Sequence, residues 1–345
     1  DIANRLADPA LGNRVLMSLR TGIRVSPRYH PIKGVPSDFL RTRLMLSIHQ
    51  DLRNTIGQKF VEARIKHQET FERLFRRRQG QLTGALSVRE RRKYWTAKLT
   101  EKSKDSLFNM FHNKSDDFLD AVAEGRLRIV GPPLDDTFTT YASFDDGDPI
   151  DVEPDCLVPT IGFTSNLGAI SGGTLTPADF YLGCLHVEHD NLFLVGFARP
   201  ILGNIPSISE MQAQYATGLL SGRQTRPRDI AAAHRRERSS LRQAFPKLDS
   251  ESMYPVEMFP YCDRLARRMG IYPIRRSAGS WRSWLKIWLS PASTLHYADE
   301  SYDAAFIARQ PIHSPAIITL LLLLIKLADL AYAPIRAARG RRHAS

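Results

Sequence analysis

Arg20 lies close to two hydroxyl residues, Ser18 and Thr21, at the end of a short apolar run. That run, residues 13–20 ("NRVLMSLR"), has the length and apolar content of a β-strand. A guanidinium donates two parallel hydrogen bonds to phosphate oxygens, so an arginine at a strand end suits a phosphate-bearing ligand. The other interpretation is a solvated arginine at the end of a strand. Weaker candidates for the same role are two further arginines, Arg24 and Arg28.

A second candidate for ligand binding is the start of a well-marked helix, residues 206–222 ("PSISEMQAQYATGLLSG"). Ser207 and Glu210 have the S-x-x-E spacing of a capping box, and Gly222 is placed to end the helix. The N-terminus of such a helix carries the positive end of the helix dipole, which favours an anionic or electron-rich ligand. An apolar stripe at helical spacing is predicted to face the core: Ile208, Met211, Tyr215 and Leu219.

Other reactive side chains have no pattern typical of catalysis or metal binding. Two histidines in "HVEH", His186 and His189, are loosely spaced and lack a third ligand in matching context, so no metal site is predicted. Asp145 and Asp146 lie in a glycine-containing loop and are interpreted as solvated. No Gly-x-Ser-x-Gly hydrolase motif occurs in the sequence.

Composition indicates a globular protein with a large core and about two domains. The 345 residues contain 48 Lys and Arg against 36 Asp and Glu, and the resulting net charge of +12 suggests an anionic partner. The basic runs are spread along the chain without zinc-finger spacing, so no nucleic-acid partner is predicted, and solvated helix faces or a membrane-facing patch explain them more simply. Three widely spaced cysteines argue against a disulfide framework and for a reducing compartment.

The pattern along the chain predicts an α/β fold with a helical insert. Strand-like runs bounded by Gly, Pro or Asp occur at residues 126–130, 155–159 and 191–196. Residues 38–111 instead repeat apolar side chains at steps of three and four among charged ones, which is typical of helices. The segment "QGQLTG" at 79–84 is predicted to break this insert into two parts.

Residues 191–222 ("NLFLVGFARPILGNIPSISEMQAQYATGLLSG") resemble the flavin-containing monooxygenases. The C-terminal half of that family has a similar strand, a Gly, a Pro-x-x-Gly loop, a Pro and a Glu-x-Gln helix, in the same order and spacing. Further segments are similar to the family in the same order along the chain: 1–8, 15–22, 114–130, 155–163 and 261–273. The likeness covers most of the chain, but in the helical insert only the general position agrees.

The resemblance implies a partial, Rossmann-like flavoprotein of two dinucleotide-binding domains, with FAD and NADPH as cofactors. It divides the chain into part of an NADP-binding domain (1–37), the helical insert (38–115), returning NADP-domain strands with the C-terminal part of the FAD-binding domain (116–225), a helical region (226–310), and a membrane-associated helix with a basic tail (311–345).

The resemblance also implies roles for the candidate residues. Ser18, Arg20 and Thr21 would bind the 2′-phosphate of NADPH. The family has Thr and Tyr where this chain has Ile161 and Phe163, so two hydroxyl groups are missing at that turn. Candidates beside the flavin or at a domain contact are Gly162, Pro200, Gly203, Glu210 and Gln212. For these the plainer alternatives are a strand-end glycine, a capping-box carboxylate and a structural glutamine.

The activity that the resemblance implies is oxygenation of a small molecule at a soft nitrogen or sulfur, in which reduced flavin captures dioxygen while NADP stays bound. Baeyer–Villiger oxygenation is a close variant. No Gly-x-Gly-x-x-Gly turn occurs in the 345 residues, so the Gly-rich turns of the parent protein are expected upstream of Asp1. The alternative from another class is a non-catalytic, membrane-associated remnant that binds partners through its basic helical insert.

An apolar stretch near the C-terminus predicts an intracellular protein attached to a membrane. Residues 316–325 are uncharged but span only about half of a bilayer. Lys326 and Asp329 lie about one helical turn apart and could pair or snorkel, which would extend the segment to Ala333. An interfacial helix is favoured, with a spanning helix or a buried core helix as alternatives, and the basic tail at 334–345 would face the cytoplasm.

Overall fold

The computed structural model describes residues 1–29, 35–67, 86–103, 113–160, 167–246, 248 and 253–342. They belong to two compact units. The first unit comprises Asp1–Pro36, Gln58–Ser106 and His112–Phe163, and the second comprises Ser37–Gly57, Leu107–Phe111 and Thr164–Ser345. Both units combine helices with short two-stranded sheets, some of them parallel, which confirms the predicted mixture of helices and strands. The finer five-part division stays a prediction.

The elements are numbered in chain order over the described residues. The helices are α1 (Ile2–Leu6), α2 (Arg43–Leu46), α3 (Gln50–Lys66), α4 (Leu86–Ser103), α5 (Phe118–Ala123), α6 (Leu167–Ile170), α7 (Ile205–Leu220), α8 (Ile230–Ala244), α9 (Met258–Met269), α10 (Trp281–Leu289), α11 (Ala304–Arg309) and α12 (Ala316–Arg342). The strands are β1 (Val15–Ser18), β2 (Val25–Ser26), β3 (Asn113–Lys114), β4 (Leu127–Val130), β5 (Thr140–Tyr141), β6 (Ile150–Asp151), β7 (Phe180–Tyr181), β8 (Leu185–His186), β9 (Ala198–Leu202) and β10 (Tyr254–Glu257). Short 3-10 turns occur at Pro9–Leu11, Ser37–Leu40, Pro177–Asp179 and Thr294–His296.

The first unit is organised around the parallel pair β1 and β4. Val15 lies opposite Leu127 and Ser18 opposite Val130, so both strands end at the same edge. This pair confirms the strands predicted within 13–20 and 126–130. Helix α1 precedes β1, and helix α5 precedes β4. The core of this unit combines apolar side chains of α4, α5 and β4 with Ala7 after α1 and Phe144 after β5: Ala7, Leu99, Phe118, Ala121, Val122, Leu127, Ile129 and Phe144.

The second unit is organised around the parallel pair β9 and β10, which α7 and α8 connect in sequence. Tyr254 lies opposite Ala198 and Glu257 opposite Leu202, with an irregularity before Glu257. The predicted stripe of α7 is confirmed, because Ile208, Met211 and Tyr215 are fully buried in this core and Leu219 packs against it. The hairpin of β7 and β8 closes the same core.

Two predicted strands are wrong. Residues 155–159 form no strand and are exposed, because no neighbouring strand pairs with them in the described residues. Residues 191–196 contribute only an isolated bridge between Phe193 and Leu185, and Gly196, at φ +87°, ends the extended conformation before β9 begins. The predicted break at 79–84 lies outside the described residues.

Helix α12 is long and apolar enough, over Ala316–Pro334, to cross a membrane by length and composition. Core helices of soluble proteins pass the same test, but they are mostly buried, whereas only 6% of this window is buried. The predicted pairing of Lys326 with Asp329 is confirmed, with Nζ and Oδ2 separated by 3.1 Å.

A buried histidine is expected to make the second unit acid-sensitive. His296 is fully buried, and its Nε2 contacts Oε1 of Gln310 at 2.9 Å. Burial is the main cause that lowers the pKa of His296 from 6.5 to about 4. The hydrogen bond with Gln310 opposes this shift, and the smaller effects of Arg43 and Asp263 lower and raise the pKa respectively. The unfolded chain therefore binds the proton first as the pH falls, and stability is lost between about pH 6.5 and 4, by up to about 3 kcal/mol.

Urea unfolding at a series of pH values tests this expectation. The variant His296→Gln should show a flatter decline of the free energy of unfolding over that window than the wild type. Equal slopes for the two proteins would contradict the assignment of the acid sensitivity to His296.

Candidate functional site

The end of β1 presents the predicted phosphate-binding residues at the surface of the first unit. Ser18, Arg20 and Thr21 are all exposed. The Oγ of Ser18 donates a hydrogen bond to the carbonyl of Gly131 at 2.8 Å, which joins the ends of β1 and β4. Gly22 then passes close to α4, where a Cβ atom would lie 2.1 Å from the carbonyl of Leu99. The turn that carries Arg20 is therefore fixed on both sides.

The weaker arginine candidates have structural contacts. Arg24 is buried, and its Nη2 donates to Oε1 of Gln58 at 2.5 Å. Arg28 pairs with Asp1 at 2.9 Å. Arg20, in contrast, makes no hydrogen bond or ion pair within the described part of the chain, so its guanidinium is available for a ligand.

In the second unit, a sharp turn joins β9 to α7. Gly203 has φ +125°, a backbone conformation that residues other than glycine rarely adopt. A Cβ atom there would lie 2.4 Å from the Cβ of Met258. The next residue, Asn204, donates its N–H to the Met258 sulfur at 3.3 Å. Leu202 lies opposite Glu257 across the strand pair. The turn is thus packed directly against the start of α9.

The predicted capping box of α7 is wrong. The helix begins at Ile205, and the side chain of Asn204 accepts the N–H of Ser207 at 2.9 Å. Asparagine is among the best N-cap residues, and Pro206 fits the first turn because it has no N–H to satisfy. Glu210 is therefore left exposed. The predicted end is confirmed, since Gly222 has φ +71° and donates its N–H to Leu219.

Exposed apolar side chains surround the start of α7. Ile205 is 46% exposed, and Val195 and Phe197 are 41% and 42% exposed in the segment that leads into β9. This segment lies along the first turns of α7, because a Cβ atom at Gly196 would lie 3.3 Å from the Oγ of Ser209. A planar apolar ligand with an electron-rich edge fits such a surface beside a helix N-terminus.

Gln212, a predicted cofactor-binding residue, points into the protein. It is fully buried. Its Oε1 accepts the N–H of Gly196 at 2.9 Å, and its Nε2 donates to the hydroxyl of Tyr261 at 2.8 Å and to the carbonyl of Gly183 at 3.4 Å. The Tyr261 hydroxyl in turn donates to the carbonyl of Leu182 at 2.7 Å. Gln212 therefore positions the segment before β9, and its amide is not available to a ligand.

Replacing Gln212 with leucine is expected to reduce the free energy of unfolding by about 2–4 kcal/mol, because the N–H of Gly196 and the Tyr261 hydroxyl would lose buried partners. Hydrogen exchange at residues 195–203 should also rise. The matched control is Gln214→Leu in the same helix, whose side chain makes one long bond of 3.3 Å to Asp299 and should cost less than about 1 kcal/mol. Equal costs for the two variants would contradict this role of Gln212.

Two buried carboxylates of the second unit, Glu257 and Glu237, are bound by arginines. Glu257, at the end of β10, is 8% exposed, and both of its oxygens accept from Nη2 of Arg53, one of them at 2.6 Å. Burial raises the pKa of Glu257 even though the charge of Arg53 opposes that shift. Glu237 accepts the N–H of Leu182 at 2.7 Å and pairs with Arg264 at 2.7 Å. These contacts link residues far apart in sequence, and no pattern in the sequence indicates them.

The segment "HVEH", from His186 to His189, forms a turn. Their rings stack with centroids 4.6 Å apart, and Nδ1 of His186 accepts the N–H groups of Glu188 and His189, both at 3.1 Å. Among the described residues, no group of three His, Cys, Asp or Glu side chains comes together as in a metal site.

The predicted site residues are thus distributed over the two units. Pro200, Gly203 and Glu210 lie along β9 and the start of α7, with Pro200 half-buried opposite Val256. Gly162 lies outside the described residues. No protein-family model matches this chain, and no curated protein matches it.

Proposed function

We propose that this chain is the C-terminal portion of an FAD- and NADPH-dependent monooxygenase that oxygenates soft nitrogen or sulfur nucleophiles. The observation that carries the proposal is the β9–α7 turn, where Gly203 leads into an exposed helix N-terminus beside exposed apolar side chains. The same residues carry the resemblance to flavin-containing monooxygenases. In this proposal the parallel pairs β1–β4 and β9–β10 belong to Rossmann-like sheets.

The β9–α7 turn fits the ring of a flavin. The exposed side chains of Ile205, Val195 and Phe197 suit an apolar ring face, and the positive end of α7 suits the electron-rich edge of such a ring. The sequence has no Gly-x-Gly-x-x-Gly turn, so the residues of this chain fit the ring of FAD rather than its pyrophosphate.

The end of β1 fits the 2′-phosphate of NADPH in part. Arg20 and Thr21 are exposed and offer donors that an anionic phosphate requires. Ser18 fits this role less well, because its hydroxyl proton is already donated to Gly131. Its contribution would be to hold the strand end in place, with Arg20 as the main phosphate ligand.

Bound FAD would supply the redox chemistry that activates dioxygen for transfer to a small nitrogen- or sulfur-containing substrate. The chain itself contributes positioning and exclusion of water. Gly203 and Met258 fix the angle at which α7 begins, and Gln212 holds the segment that carries Val195 and Phe197 against α7. Glu210 makes no hydrogen bond within the described residues, so its carboxylate is available for a contact with another part of the parent protein.

The alternative of a remnant that binds partners through its basic insert is less well supported. In α4, Arg92 pairs with Asp120 at 2.9 Å and Lys102 with Asp146 at 2.8 Å. Arg91 donates to the carbonyl of Ala123 at 2.5 Å. These basic side chains are used within the first unit, which reduces the charge available to an anionic partner.

The proposal extends to location. An intracellular protein attached to a membrane through α12 agrees with the apolar window of that helix and with its small buried share of 6%. It also agrees with three cysteines at wide spacing, as in proteins of reducing compartments.

Ligand binding tests the proposal on residues 1–345 purified in detergent. Riboflavin and FAD should bind with similar affinity, because the ring is the part that this chain fits. The adenosine ligand 2′,5′-ADP should bind better than 5′-AMP, and Arg20→Ala should weaken the binding of 2′,5′-ADP about tenfold or more. The matched control is Arg14→Ala, another exposed arginine of the first unit, which should leave that binding unchanged.

NADPH oxidation in the presence of a simple thioether should then be measured with FAD added. A folded chain that binds neither flavin nor 2′,5′-ADP would contradict the proposal. Binding of flavin without oxidation of NADPH would restrict this chain to the ring-binding part of a larger site.

A further inference from the structure

In helix α12 the charged side chains face the protein and the apolar side chains face solvent, the opposite of an ordinary surface helix. Its charged residues Lys326 and Asp329 face the rest of the second unit, and Asp329 is only 3% exposed. Its outward side is apolar over the whole window, with exposed fractions between 43% and 78%: Ile317, Leu320, Leu321, Leu323, Leu324, Leu327, Leu330 and Tyr332. At 100° per residue these positions cover an arc of roughly 200°. A soluble protein seldom exposes so large a continuous apolar surface to water.

The inward side of α12 is bound to the turn between α2 and α3. Nζ of Lys326 donates to the carbonyl of Ser47, and Oδ2 of Asp329 accepts the N–H of His49 at 3.3 Å. Both backbone groups lie where α2 ends and α3 begins, so each contact satisfies a group at a helix terminus. The pair therefore has partners on the protein and does not need water or lipid head groups.

The partly covered side of α12 runs along the helix and includes its midpoint. Ile318, Leu322, Ile325 and Ala333 lie on the same side as Lys326 and are partly covered. A helix that crosses a bilayer as an isolated span would instead have its midpoint surrounded by hydrocarbon. With Lys326 and Asp329 bound to Ser47 and His49, a spanning arrangement would place backbone polar groups of a helix-connecting turn at the centre of the bilayer, which is unfavourable.

We propose that α12 lies flat on one leaflet of a membrane, with its leucine-rich arc in the lipid and its Lys326–Asp329 side on the protein. This inference deepens the membrane attachment proposed above and rests on it, but it is independent of the oxygenation chemistry. The occupant of the arc is a lipid bilayer because an apolar helix face that is followed by a basic segment binds anionic membranes along its length. The arc ends at exposed Tyr332, and the sequence that follows, "RAARGRR" at 336–342, is strongly basic.

Vesicle flotation with the full chain tests the attachment. Vesicles of phosphatidylcholine with phosphatidylserine should retain the wild-type chain. The triple variant Leu320→Ser, Leu324→Ser, Leu327→Ser should lose binding about tenfold or more, because three side chains leave the lipid. The matched control replaces three apolar residues elsewhere that are at least 55% exposed, Leu11→Ser, Leu134→Ser and Ile170→Ser, and should bind within about twofold of the wild type. Circular dichroism checks that both variants fold.

Protease accessibility then distinguishes a flat helix from a spanning one. The chain with a C-terminal epitope tag is synthesised in the presence of microsomal membranes and treated with protease from outside. The flat arrangement predicts that the tag is digested together with the globular part. A protected tag would overturn the flat arrangement while leaving membrane attachment intact. Dimers that form in solution without vesicle binding would overturn both, since a second copy would then cover the arc.

Discussion

Replacing Gly203 with alanine is expected to lower the free energy of unfolding of the second unit by about 2–6 kcal/mol. Two causes add. A non-glycine residue at φ +125° costs about 1–3 kcal/mol in backbone strain. The new Cβ would also lie 2.4 Å from the Cβ of Met258, and such overpacking costs about 1–3 kcal/mol. Urea unfolding followed by tryptophan fluorescence measures this change, because three of the four tryptophans, Trp281, Trp284 and Trp288, belong to the second unit.

Two other glycines separate these causes. Gly222 has φ +71°, but a Cβ atom added there would have no other atom within 4 Å, so Gly222→Ala should show the strain alone. Gly168 has neither a positive φ nor a close neighbour, so its replacement by alanine should cost nothing or stabilise α6 slightly. If Gly203→Ala costs no more than Gly222→Ala, the close approach to Met258 is not significant. Under the proposed function, Gly203→Ala should also abolish flavin binding.

Replacing Arg53 with methionine is expected to cost about 3–5 kcal/mol, because it leaves the carboxylate of Glu257 buried without its main partner. Both side chains are less than 10% exposed, and the Arg53 guanidinium also donates to the carbonyl of Leu46 at 3.2 Å. The double variant Arg53→Met, Glu257→Leu should recover much of this loss, because replacing both members of a buried ion pair with apolar groups is often neutral. A double variant as unstable as Arg53→Met alone would contradict this account.

The pH dependence of the Arg53→Met variant provides an independent check. Burial raises the pKa of Glu257 in the wild type, and removal of the opposing charge of Arg53 should raise it further. The folded variant then binds a proton at higher pH than the unfolded chain, so its stability increases as the pH falls through that range. The cost of the substitution should therefore be smaller at about pH 5 than at about pH 7. A cost independent of pH would show that Glu257 is not the destabilised group.

The sequence predicts local features of the site better than its long-range contacts. The buried stripe of α7 and its end at Gly222 follow from helical spacing and from the left-handed conformation that glycine adopts at helix ends. The predicted start of α7 is wrong because the sequence contains two good N-cap residues, Asn204 and Ser207, each followed by a helical pattern. Position alone does not decide between two good caps, and here Asn204, followed by Ile205 and Pro206, forms the observed cap.

Strand pairing is the feature that is least predictable from the sequence. The residues of β10 include Pro255 and precede a helix directly, so the pattern predicts helical sequence through this region. The strand forms because it pairs with β9, about 55 residues earlier, at a parallel register that local sequence does not encode. Conversely, residues 155–159 are apolar and bounded by Asp and Pro but find no partner among the described residues, and they remain irregular.

The same limit applies to the buried polar contacts. The sequence suggests Gln212 as a ligand-binding residue on a helix, but its side-chain amide makes hydrogen bonds with Gly183, Gly196 and Tyr261. Arg53 and Glu257 are separated by 204 positions in the chain. Which polar side chains become internal is decided by packing of elements from distant parts of the sequence, so local patterns do not identify them.

The contact of Lys326 with Ser47 also has a consequence for the time course of biosynthesis. The two residues are 279 positions apart. A ribosome that adds about 5–20 residues per second needs roughly 14–56 s between them. During this interval the connection between α2 and α3 has already emerged but lacks the groups that later cover it. Helix α12 is therefore the last described helix of the second unit to emerge, so under the proposed membrane attachment its leucine-rich arc appears only when the turn that binds its Lys326–Asp329 side is already available.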